Sequence, residues 1–161
     1  LLYSNVPDIQ VREDAGLALK SMLQQMQVET GKNVVIASGY RSYNNQLETY
    51  SNWVTSVGQR EADTFSARPG YSEHQLGTVV DFFSEDSGFD FTDEFDTTVA
   101  GQWLKENSYK FGFVQSYPEG SEAITGYKYE AWQYRFIGIE NAQEFMESNQ
   151  LFPAWLQEKN S

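Results

Sequence analysis

"GTVVDFF", residues 77 to 83, decides how this chain is read. Its valines and phenylalanines give it the β-branched and aromatic content of a buried strand, yet Asp81 stands in its middle. A carboxylate within an apolar strand costs several kcal/mol of desolvation unless something meets it, so a cation is expected beside Asp81. His74, the one histidine of the chain, lies just upstream in a polar segment. Alternation along a regular strand puts positions 74 and 81 on opposite faces, so His74 must come in from a loop, with Gly77 permitting the turn. A plainer reading stays open, in which Asp81 pairs with Arg41, Arg68 or Arg135.

Working outward from that strand, apolar residues at Val11, Ala15, Leu19, Leu23 and Met26 predict one long helix over Asp8 to Thr30, closed by Gly31. The apolar run at 34 to 37 predicts a second buried strand. Tyr43, Leu47, Tyr50 and Val54 stand at helical spacing between a Ser42 cap and Gly58. The polar stretch Gln59 to Gln75 is longer than a usual connection, as functional loops often are. Beyond the central strand, Ser84 to Phe95 reads as an acidic, Phe-rich surface loop, and Asp96 to Gly112 as a third helix. Phe113 to Gln115 is a strand candidate, residues 117 to 126 are turn-rich, and Tyr127 to Gly138 reads as the last strand. One or two terminal helices follow in Ile139 to Gln150 and "PAWLQEK". Helices and short strands are grouped rather than strictly alternating, which predicts an α+β domain: a small antiparallel sheet with flanking helices.

Composition bounds the function. The 161 residues make one domain able to bury a core, 40 % hydrophobic and 16 % aromatic, with no apolar run long enough to span a membrane. A net charge of -12 argues against nucleic acid and anionic membranes, both of which need basic surface. There is no cysteine, which removes disulfides, thiol catalysis and thiolate zinc sites. The start at Leu1, without methionine or a signal-peptide pattern, suggests a fragment of a longer exported or anchored protein, expected to be monomeric.

Three blocks carry a family resemblance. "ARPGYSEHQLGTVVD", residues 67 to 81, resembles the first zinc motif of the VanY-type D-alanyl-D-alanine carboxypeptidases, Ser-x-His-x-x-Gly-x-Ala-x-Asp, met here by Ser72, His74, Gly77 and Asp81, with Val79 at the alanine. "SGYRSYNNQ", residues 38 to 46, resembles the family's substrate-binding segment, and "EGSEAITGYKYEAWQYRFIG", residues 119 to 138, its second motif, Glu-x-Trp-His followed by an arginine-aromatic pair. The blocks occur in the family's order and span most of the chain.

The resemblance implies an LAS-type metallopeptidase fold and a zinc held by His74, Asp81 and a third ligand at position 133, where this chain has glutamine instead of histidine. It implies that Glu130 is the general base and that Arg41 stabilises charge on the attacked carbonyl. Gln46, Ser72 and Tyr127 would bind the carboxylate or backbone of a peptidoglycan stem peptide whose C-terminal D-alanine is removed from a D,D or L,D bond. That substrate places the domain outside the cell or in its envelope. A catalytic zinc takes three protein ligands and lowers the pKa of water to about 7, so the base beside it needs only modest strength. Glutamine offers zinc a neutral, hard oxygen where imidazole nitrogen is preferred, and Ala131 is a second departure, from proline. Three readings follow: a metallopeptidase with a weakened site, a non-catalytic stem-peptide-binding module, or an aromatic pocket turned to a protein or glycan partner.

Overall fold

The structure is a computed structural model that describes residues 9–161. Asp8, where the opening helix is expected to begin, lies outside the described residues. Within them α1 spans Glu13–Thr30, its acidic first turn complementing the helix dipole, and ends at Gly31 in the left-handed region. It buries Ala15 and packs Leu19, Met22 and Met26 into the core beneath the sheet.

Four strands, β1 (Val35–Ser38), β2 (Val79–Phe83), β3 (Phe113–Tyr117) and β4 (Glu130–Phe136), form one sheet in the order β1-β2-β4-β3 with every pairing antiparallel. This is the expected α+β fold. On one face Ile36, Val80, Phe82, Phe113 and Tyr134 join α1 and α4 (Val99–Asn107) in the main core. A second cluster, Val114, Ala142, Phe152 and Trp155, lies under α6 (Ile139–Ser148) and α7 (Phe152–Lys159). The cleft described below is walled by α2 (Tyr43–Val57) on one side. No helix among the described residues is long and apolar enough to cross a membrane.

Several expectations change in detail. The polar stretch 59–75 is not all loop: it holds the short helix α3 (Gln59–Ala62), and the 3-10 turn Glu73–Leu76 begins within it. The segment 84–95 is not simply surface, because Phe95 is fully buried and two 3-10 turns, Glu85–Ser87 and Asp93–Thr97, shape it. The turn-rich stretch contains the single turn α5 (Glu122–Thr125). Ser42 does cap α2, accepting from the Asn45 amide at 3.2 Å. Of the apolar residues noted on α2, Tyr43 and Leu47 are exposed and Tyr50 and Val54 half-buried, whereas Gln46 is buried at 1 % exposure. That helix serves the cleft more than the core.

Candidate active site

His74 arrives from the 3-10 turn, as the offset from Asp81 requires, and Gly77 at φ 70° turns the chain back into β2. Gly39 lies tight against residues 9–11, where a Cβ would meet the Gln10 carbonyl at 2.6 Å. Its carbonyl accepts from His74 Nδ1 at 2.7 Å, which fixes the hydrogen on that nitrogen and points Nε2 the other way. Nε2 faces two oxygens, Asp81 Oδ2 at 3.3 Å and Gln133 Oε1 at 3.2 Å. Asp81 and Gln133 are direct cross-strand partners, so register alone puts them side by side. All three are buried.

The arginine alternative for Asp81 is not met. Arg68 pairs with Asp63 and Arg135 with Glu73, while Arg41 donates to Gln46 Oε1 and Ser38 Oγ, both at 3.0 Å. Asp81 Oδ1 is buried with no hydrogen-bond partner. Two oxygens thus meet a lone pair on Nε2, and the carboxylate that supplies one of them keeps a second, orphaned oxygen, an arrangement that calls for a proton or a cation. Burial disfavours the charged His74 ring, but the adjoining Asp81 carboxylate outweighs it and holds the ring's pKa above the usual value.

Glu130 reaches the same cleft through an irregularity in pairing. Residues three apart on a regular strand face opposite ways, which would separate Glu130 from Gln133. The β3–β4 register passes from Gln115 opposite Tyr134 to Tyr117 opposite Glu130, so β4 carries two extra residues there. Both Glu130 and Gln133 then line the cleft, while Ala131 and Tyr134 go into the core. Burial, then the Asp81 and Glu73 carboxylates, push the Glu130 carboxyl up to about 8, with Arg41 acting against them.

The cleft encloses about 790 Å³ and gathers the eight residues expected to bind metal or substrate or to act in catalysis: Arg41, Gln46, Ser72, His74, Asp81, Tyr127, Glu130 and Gln133. Gln46 is held by donating Nε2 to the Ala67 carbonyl at 2.7 Å, leaving its oxygen to orient Arg41. Trp53, in edge contact with Phe65, and Trp132, against Phe91, form the apolar walls. Glu73, Tyr117, Asp90 and Asp93 also line it and went unremarked in the sequence. Glu73 had a signal, its place between Ser72 and His74, but one charged residue in a motif gap reads as solvated.

The comparisons with known proteins agree with one another. A family model described as VanY, D-alanyl-D-alanine carboxypeptidase, matches residues 8–139. The chain belongs to the VanY family. The putative carboxypeptidase YodJ of Bacillus subtilis (strain 168) is 39 % identical over 139 residues, 86 % of this chain and 50 % of that protein. A D-alanyl-D-alanine carboxypeptidase of Enterococcus faecalis (strain ATCC 700802 / V583) is 38 % identical over 117 residues, 67 % of this chain and 41 % of that protein. The chain therefore spans half or less of these relatives' length. Among solved structures, the LdcB LD-carboxypeptidase superposes with a TM-score of 0.89 at 35 % identity, covering 98 % of this chain and 74 % of that one. A VanY D,D-pentapeptidase in complex with Zn(II) gives 0.80 at 30 % identity, covering 97 % and 89 %. The family model, both relatives and the LdcB structure carry the name carboxypeptidase, and the VanY structure holds zinc.

In this VanY-family chain the donor set differs. Among the described residues no three His, Cys, Asp or Glu side chains assemble as a metal site, and the side chain that stands beside His74 and Asp81 is the Gln133 amide. One imidazole nitrogen, two oxygens facing it and a carboxylate with an orphaned second oxygen fit a divalent cation, with a harder ligand set than imidazole in place of Gln133 would give.

Proposed function

We propose that this domain removes the C-terminal D-alanine from peptidoglycan stem peptides, with a divalent cation, zinc in the first instance, held by His74, Asp81 and Gln133. The observation that carries the reading is the meeting of Asp81 Oδ2 and Gln133 Oε1 at His74 Nε2, on a carboxylate whose other oxygen, Oδ1, is buried without a partner. A cation held there supplies Lewis acidity toward water and the scissile carbonyl. Glu130 takes the proton of the attacking water and returns it to the departing amine of D-alanine, a role its reach into the cleft permits. Arg41, preset by Gln46 and Ser38, offers a planar fork of donors to the carbonyl oxygen as charge develops on it. Ser72, Gln46 and Tyr127 orient the peptide's carboxylate and backbone, and the aromatic walls exclude water around the reacting bond. Peptidoglycan lies outside the cytoplasmic membrane, and so does the proposed place of action.

Release of D-alanine from muramyl tetrapeptide and pentapeptide, measured with zinc, cobalt or manganese added, tests this. Turnover should appear with one of them, and Glu130→Gln should lower kcat by about 100-fold or more. No release under any divalent ion at high protein concentration would remove the enzymatic reading. A second reading rests on Gln133 itself: a weaker third ligand favours a module that binds stem peptides without cutting them. Calorimetric zinc titration of the natural chain beside Gln133→His separates the two, because binding only by the histidine variant leaves the natural chain a binder.

A further inference from the structure

Glu73 directly precedes His74 and its two carboxylate oxygens are divided between two partners. Oε1 forms an ion pair with Arg135 in a half-sheltered setting, the side chains being 20 % and 14 % exposed. Oε2 accepts from Gln133 Nε2 at 3.3 Å. Arg135 is itself anchored, donating from Nε to Ser116 Oγ and from Nη2 to the Ser116 carbonyl, both at 3.3 Å, with its guanidinium 4.2 Å from the Phe152 ring centre.

A primary amide is a ligand only at one end. Its oxygen can bind a cation and its NH2 cannot, and half a turn of the last torsion exchanges them. A carboxylate such as Glu73 can face only the NH2 end, which leaves Oε1 directed at His74 Nε2. Arg135 pairs with Glu73 and so offsets part of the charge that Glu73 adds to a cleft already holding Asp81 and Glu130. We propose that Glu73, clamped by Arg135, is the positioning residue that turns the Gln133 carbonyl toward the cation and so makes glutamine serve as the third ligand. This rests on the reading above that the site holds a divalent cation.

The test is a double-substitution cycle read by calorimetric zinc titration of the metal-stripped domain: the natural chain, Glu73→Gln, Gln133→Glu and the pair combined. Glu73→Gln should weaken zinc binding about tenfold or more, because an amide at 73 accepts as readily as it donates and no longer selects an end. In the Gln133→Glu background position 133 has no NH2 end to select, and the same substitution should change affinity less than about threefold. Equal losses in both backgrounds would reduce Glu73 to a charge effect and overturn the proposal. A natural chain that binds zinc with Glu73→Gln matching it overturns the positioning role alone, whereas a natural chain that binds no zinc overturns the cation site with it. Should Glu73→Gln not fold, Glu73→Asp keeps the charge beside Arg135 but draws the oxygen back from the amide, and it is read in the same way.

Discussion

Glu130 is asked to act as a base from a position that favours its protonated form. Its carboxyl rises from an ordinary 4.5 to about 8 in the cation-free protein. Between those values the folded state holds a proton that the unfolded chain has released, so stability falls as pH rises through that window. The loss is on the order of a few kcal/mol and is complete above about pH 8. In chelator-treated protein the melting temperature should therefore drop from pH 5 to pH 8, and Glu130→Gln should flatten that drop and melt higher than the natural chain at pH 8, as scanning calorimetry would record. An unchanged slope in the variant would remove the burial argument for this residue. At this scale the motif residues were legible, because Ser72, His74, Gly77 and Asp81 keep a spacing set by one turn and one strand. Glu73 was not, since its contact with Gln133 joins positions 60 apart and exists only once β2 and β4 are in register.

Strand content and the capped ends of α2 could be read from local residues, but the facing of elements could not. On α2 the apolar spacing of Tyr43 and Leu47 marks the helix but not its burial, since both are exposed, whereas the fold turns Gln46, Thr49 and Trp53 toward the cleft. Helical periodicity reports a shared face and says nothing about which neighbour that face meets. The pairing irregularity in β4 was hidden for a similar reason: Glu130 and Gln133 share a side only because β3 skips residues opposite them. A close approach between elements gives a prediction here. Gly101 in α4 lies under the Phe95 backbone, where a Cβ would come within 2.0 Å of the carbonyl oxygen. Gly101→Ala should cost about 1 to 3 kcal/mol in urea denaturation, because either the helix or the Asp93–Thr97 turn must shift. Asp93 sits on that turn and lines the cleft, so the variant should also raise KM for peptide.

Across the whole molecule 23 acidic residues face 11 basic ones, leaving a net charge of -12. Such an excess repels itself in the compact state, and screening relieves the repulsion. The melting temperature of the cation-free domain should rise as sodium chloride goes from about 0.01 M to about 0.15 M, where the screening length falls from about 30 Å to about 8 Å. A flat response would mean that local ion pairs such as Arg68–Asp63 and Lys105–Asp96 already balance the surface. The α+β class was legible from the grouping of elements, but the strand order β1-β2-β4-β3 was not, because nothing local says that β4 inserts between β2 and β3. That insertion brings Asp81 opposite Gln133 at the last pair of the β2–β4 ladder. An ion shared by the two side chains would act as a rivet at the open end of that ladder, resisting the fraying by which backbone amides trade hydrogen for deuterium. Amides of β2 and β4 should then exchange more slowly in zinc-loaded than in stripped protein, and the sheet would register occupancy of the cleft with no substrate present.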